Sequence, residues 1–203
     1  VKTPKYPVTA EHVVNRSRFI GFLSRAESEI EASAFLDKIR ADYPDATHHV
    51  YAYVLGDNKE TQKASDDGEP VRTAGFPVLD VLNKNDVTDA IIVVVRYFGG
   101  IKLGSGGLIR AYSATTRKLL EIAEYAYKTP IEDYILHIGY AYTKPVERYL
   151  NSHAICIKTE YGEKITYRFS LANGKSDEIT ALFADMTNGE ATLETAATRN
   201  VYL

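Results

Sequence analysis

Ile91-Ile92-Val93-Val94-Val95-Arg96-Tyr97-Phe98-Gly99-Gly100-Ile101-Lys102-Leu103-Gly104-Ser105-Gly106-Gly107-Leu108-Ile109-Arg110-Ala111-Tyr112 is the stretch on which the fold turns. Its opening apolar run, rich in β-branched residues, reads as a buried strand, and Leu108 to Tyr112 opens a helix. Five glycines fall between Gly99 and Gly107. Glycine permits positive φ and close backbone approach at an entropic cost, so a plain connection would not need so many. Strand, glycine-dense loop and helix start, in that order, present backbone N–H groups to an anion, and Lys102 and Arg110 flank the loop with positive charge. Known phosphate loops nevertheless fail in detail. Gly99 to Gly104 has P-loop spacing, but Ser105-Gly106 stands where Lys-Ser/Thr belongs. Gly104-Ser105-Gly106 opens like a dinucleotide fingerprint, with Ile109 in the third glycine position. An anion site and a tightly packed strand–helix corner both fit, and the loop alone does not choose between them.

Upstream, Val8 to Ser24 reads as two extended pieces around the polar break Asn15-Arg16-Ser17-Arg18. Ser28-x-x-Glu31 is a capping box for a helix with Ala32, Phe35, Leu36 and Ile39 on its apolar face. His48 to Leu55 is a strand, Asn58 to Pro70 a polar stretch ending in Asp66-Asp67-Gly68-Glu69-Pro70, and Thr73 to Asn83 a short helix. The helix after the glycine loop is expected to run to about Tyr127, with Leu108, Tyr112, Leu119 and Ala123 inward. Lys128-Thr129-Pro130 then reads as a linker between domains at 1–128 and 132–203. Past it the order is βαββαβ, ferredoxin-like, with a turn at Asn173-Gly174 and Ser176 capping the second helix. The fold class expected is therefore α+β.

The chain has 203 residues, 45% hydrophobic and 25% charged, and no apolar run approaches a membrane span. Val1-Lys2-Thr3-Pro4 starts no signal-peptide pattern, and Cys156 is the only cysteine, so a reducing cytoplasmic setting is expected, with no disulfide framework or cysteine-based zinc site. The net charge of −3 argues against coating nucleic acid by bulk charge. Residues 1–128 are neutral overall and 129–203 carry the excess, so nucleic-acid contact requires a local patch. The densest basic cluster near the loop is Arg96, Lys102, Arg110, Arg117 and Lys118, the last read as an ordinary solvated residue.

Three segments resemble the YigZ/IMPACT family: Ala46-Thr47-His48-His49 with Tyr51-Ala52-Tyr53; Ser65-Asp66-Asp67-Gly68-Glu69-Pro70 with Thr73-Ala74-Gly75-x-Pro77; and the long stretch from Val93 to Tyr112. The third is the most specific, and the resemblance spans the whole chain. It implies an N-terminal domain similar to the second domain of a small-subunit ribosomal protein, domain IV of elongation factor G and the GHMP kinases, and a C-terminal domain similar to that of elongation factor G. It also implies a setting in translation, since eukaryotic members act in translational control through a partner on the ribosome. One departure concerns the acidic loop, where the family usually has a small residue and glycine and this chain has Val71-Arg72.

The candidate anion or nucleic-acid site is Arg96, Lys102, Gly104, Ser105, Gly106, Gly107 and Arg110, with Tyr97 and Phe98 offered for base stacking against the plainer expectation of core packing. His48, Asp66, Asp67, Glu69 and Arg72 are candidates for a cleft beside it. His48 and His49 should face opposite sides of the sheet. The acidic residues fit a divalent cation, but a turn whose carboxylates bond local N–H groups is the preferred reading. Neither a cofactor nor a catalytic residue is assigned. Three functions follow: an RNA- or ribosome-binding regulator, which is favoured; an enzyme acting with magnesium on a phosphorylated small molecule or nucleotide; and a protein-interaction adaptor whose loop is architectural.

Overall fold

The computed structural model describes every residue other than 173–175, so the turn expected at Asn173-Gly174 lies outside the described residues. The chain forms two compact α+β units, 1–127 and 128–203. The first holds β1 (Lys2–Pro4), β2 (Val8–Val14), β3 (Ser17–Arg25), α1 (Glu29–Asp42), β4 (His48–Leu55), β5 (Thr61–Ser65), α2 (Gly75–Lys84), β6 (Ala90–Tyr97) and α3 (Gly104–Ile122). Strand β7 (Tyr125–Ile138) crosses the boundary, followed by α4 (Thr143–His153), β8 (Ile157–Tyr161), β9 (Ile165–Ala172), α5 (Ser176–Met186) and β10 (Thr192–Tyr202).

The first unit is built around an antiparallel sheet in the order β2-β3-β6-β4-β5. Its middle strand is the apolar run of the sequence, and Ala90 through Val95 are fully buried. Side chains alternate along a strand, so the two faces take different residues. Ala90, Ile92 and Val94 pack with α2 and α3, whereas Ile91, Val93 and Val95 pack with α1. A helix on each face is why both sets are apolar. Asn15 and Arg16, both at positive φ, make the two-residue turn from β2 to β3.

In the second unit the βαββαβ order is present, with antiparallel strands ordered β10-β7-β9-β8. Tyr134, Leu136, Tyr167 and Phe169 pack against Val146 and Leu150 of α4 and Phe183 of α5.

Three local expectations are corrected. The long helix stops at Ile122, because Tyr125 to Tyr127 pair with Lys2–Pro4 and the alternation Tyr-Ala-Tyr suits a strand. Lys128-Thr129-Pro130 is no loop but part of β7, paired there with β10. Ser176 stands inside α5 as its first residue rather than ahead of it. The polar stretch also conceals β5, an edge strand on β4 whose exposed, hydrophilic residues carry no apolar alternation.

Candidate functional site

Alternation along two strands decides which side chains meet. In β6, Arg96 follows Val94 on the face covered by α2 and α3, and in β4 His48 stands beside it in register. Phe19 of β3 is Arg96's neighbour on the other side. His49 and Tyr97 consequently turn to the opposite face, as expected for the histidine pair. Tyr97 donates its hydroxyl to Asp45, and His49 bonds the Tyr43 carbonyl through Nε2. Tyr97 is thereby removed from the stacking site proposed for it, by strand geometry alone.

On the first face lies a cleft of about 460 Å³ whose lining includes His48, Glu69, Arg96, Phe98, Lys102, Gly104 and Ser105. Segments distant in sequence therefore converge on this cleft. Arg96 is not the free surface contact expected of a phosphate-binding arginine. Its side chain is 6% exposed, and Nη1 donates to Glu69 Oε1 at 2.6 Å while Nη2 donates to Ser17 Oγ at 3.3 Å. The guanidinium carbon is 5.4 Å from the Phe19 ring and 5.6 Å from the Phe98 ring. Arg96 Nε is buried and has no acceptor among the described residues.

Glu69 is the centre of this network. Its side chain is 3% exposed, and Oε1 also accepts from the Tyr112 hydroxyl at 2.7 Å. Burial, and then the neighbouring Glu69 charge, push the Tyr112 hydroxyl far above its usual pKa, which keeps it a proton donor. Sequence periodicity placed Tyr112 on the inner face of α3 but gave no sign that its hydroxyl would meet a carboxylate. His48 Nδ1 lies 2.7 Å from the Asp67 carbonyl, which can only accept, so Nδ1 carries the proton. In the neutral ring His48 Nε2 is then an acceptor, 3.8 Å from Glu69 Oε2.

The acidic loop holds itself together. Asp66 Oδ1 accepts from the Ala74 and Gly75 amides at 3.0 and 2.8 Å, and Oδ2 accepts from the Arg72 amide at 2.7 Å. Asp66 thus satisfies N–H groups at the start of α2, a capping role served from eight residues upstream. Asp67 Oδ2 accepts the His49 amide. The turn reading is the one the geometry matches, and among the described residues no group of three or more His, Cys, Asp or Glu converges on a metal-sized point. Arg72 has φ +61° and lays its guanidinium 3.9 Å above the Phe76 ring, outside the cleft lining. The left-handed conformation explains the glycine usual at that place in the resemblance.

The glycine loop divides into architecture and open backbone. A Cβ on Gly99 would stand 2.0 Å from the Arg16 carbonyl carbon, so this glycine lets the loop rest on the β2–β3 turn. Gly104 has φ +68° with open space beside it, and α3 begins there. Among the described residues no side chain caps the N-terminus of α3. The first-turn N–H groups have no partner within a helix, and Gly104 and Ser105, both exposed, line the cleft. Exposed Lys102 lies at the same rim. Helical rotation separates the rest of the expected set. Gly107 and Arg110 line a neighbouring depression with His12, Asn15 and Arg117, while Gly106 is exposed on the first turn near the Arg110 guanidinium.

The Impact N-terminal domain profile matches residues 15–120, and the profile of a domain of unknown function, DUF1949, matches residues 136–190. "IMPACT family member YigZ" of Escherichia coli is 37% identical over 193 residues, 94% of this chain and 95% of that protein. "IMPACT family member YvyE" of Bacillus subtilis is 37% identical over 185 residues, 91% of this chain and 85% of that protein. A solved structure described as that of an hypothetical protein covers 97% of both chains at 36% identity, with a TM-score of 0.64.

Proposed function

This chain belongs to the IMPACT family, and from that premise we propose that it is a translation-associated regulatory protein whose N-terminal unit binds RNA, on the ribosome or free, by capturing phosphate at the start of α3. The translational setting comes from the family resemblance of its sequence. So do the proposed kinships: residues 1–128 with domain IV of elongation factor G and its relatives, and 132–203 with the C-terminal domain of that factor. A reducing cytoplasmic setting is part of the same proposal. Fold kinship does not itself assign function, so the weight falls on the site.

The observation that carries the proposal is the uncapped N-terminus of α3, opening on the same cleft as Lys102, Phe98 and a buried arginine. Helix N–H groups and the partial positive charge of the helix end favour an anion, and Lys102 adds a charge-assisted contact. Phe98, 46% exposed, offers a face on which a base stacks. Arg96 supports the site from below, held by Glu69 and Ser17, its charge balanced by the Glu69 carboxylate. Nothing in this binding requires a covalent step.

Co-sedimentation with ribosomes, and retention of single-stranded RNA, across a salt series tests the proposal. The test variant is Phe98→Ala/Lys102→Ala, two exposed side chains whose removal leaves the core intact. Binding by the natural sequence should weaken as salt rises and be largely lost in the variant. Absence of binding by the folded natural sequence at low salt contradicts the proposal.

A further inference from the structure

The cleft is polarised. Its rim at Lys102, Gly104 and Ser105 offers donors, whereas its floor holds two acceptors with no hydrogen bond from the described residues. One is Glu69 Oε2, on a side chain only 3% exposed whose other oxygen takes Arg96 and Tyr112. The other is Nε2 of the neutral His48 ring, whose Nδ1–H is directed to the Asp67 carbonyl. They stand 3.8 Å apart, too far to bond each other and suited to receive two neighbouring donors from one ligand.

Resting on the phosphate site proposed above, we propose that the cleft takes a ribonucleotide with a free 2′,3′-cis-diol, its phosphate on the start of α3 and its two hydroxyls on Glu69 Oε2 and His48 Nε2. A cis-diol places two O–H donors on adjacent carbons, so each reaches one of two acceptors this close together. Such acceptors, open to the cleft on largely buried side chains, favour this ligand, because a group that displaces their water without donating leaves them unsatisfied. The volume, about 460 Å³, suits one nucleotide rather than a duplex. Phe98 at the mouth is placed for the base. The pairing of donor wall and acceptor floor also sets RNA apart from DNA, since the 2′-hydroxyl is one of the two groups read. Two sources carry this chemistry, the 3′ end of an RNA strand and a free nucleoside 5′-monophosphate.

Changing the ligand tests this without disturbing the protein. Binding is measured for one single-stranded RNA ending in a free diol, the same strand ending in a 2′,3′-dideoxynucleotide, AMP and 2′,3′-dideoxy-AMP. The diol ligand of at least one pair should bind about tenfold or more tighter than its dideoxy counterpart. Discrimination within the RNA pair assigns the site to a strand end; discrimination within the AMP pair alone assigns it to the free nucleotide. A folded His48→Ala variant should narrow the preference, and should that variant not fold, the ligand series still decides. Equal binding within both pairs overturns the inference while leaving salt-sensitive RNA binding, and with it the phosphate site, standing. No RNA or nucleotide binding at low salt overturns both.

Discussion

Two concave surfaces of similar size behave differently in this molecule. The cleft of the first unit encloses about 460 Å³ and a depression on the second unit's sheet about 340 Å³, and each contains an arginine–carboxylate pair. In the first unit Arg96 and Glu69 are 6% and 3% exposed, while in the second Arg199 and Asp133 are 50% and 27% exposed. Asp133 accepts from Ser170 on one oxygen and from Arg199 on both. Cys156 is in turn in contact with Ser170. The second site gives its carboxylate a donor on each oxygen. The first satisfies only the inner half of its polar groups and leaves an outer half, Glu69 Oε2, His48 Nε2 and the α3 amides, facing the cleft. Unused hydrogen-bonding capacity, rather than volume, is what distinguishes a candidate binding site here.

The sharpest way to break this comparison is to remove one partner of each pair. Arg96→Ala leaves the Glu69 charge buried beside Tyr112 and should lower unfolding free energy by about 3–5 kcal/mol, read from urea denaturation. Asp133→Ala should leave the urea midpoint nearly where it was, because an exposed pair contributes little. Equal losses at the two positions would refute the contrast. A smaller effect, about 1–3 kcal/mol, is expected of Gly99→Ala, whose methyl group would meet the Arg16 backbone. A neutral result there would show that the loop does not lean on the β2–β3 turn.

The smallest effect concerns pH. Hydrogen bonds from Arg199 and then Ser170 hold the Asp133 carboxyl below its ordinary value of 3.8. A depressed folded value stabilises the protein above the ordinary value, and that contribution is lost as pH falls through the folded one. Asp133→Asn should therefore lower stability slightly at neutral pH and not at all once pH has fallen below the folded value, so that acid unfolding becomes slightly less steep. A variant that lost as much stability in acid as at neutral pH would contradict this placement.

Much of the fold was legible because apolar patterning is local. The β6 run is read from its unbroken apolar sequence, and the face of α1 and the βαββαβ order from periodicities of two or 3.6. What escaped was set by partners far along the chain. Tyr125 to Tyr127 could continue a helix until Lys2–Pro4 claims them, and β5 has no apolar alternation because it lies on an exposed edge. Of the candidate residues, His48, Glu69, Arg96, Phe98, Lys102, Gly104 and Ser105 share one cleft, whereas Arg72, Tyr97, Gly107 and Arg110 lie outside its lining. Arg96, Glu69 and His48 do converge, yet nothing in the string shows that Arg96 is buried beneath the cleft or that Tyr112 donates to Glu69. Strand parity, by contrast, already separates Arg96 from Tyr97 and sets Tyr97 apart from the stacking surface.

The measurement that tests the central claim most directly is an amide-resolved NMR titration of the natural sequence with a short single-stranded RNA at low salt. The account predicts saturable shifts of the Gly104, Ser105 and Gly106 amides, with the Phe98 and Lys102 amides following and the sheet of the second unit unmoved. Saturable shifts confined to that second sheet, with the start of α3 unchanged, would contradict it.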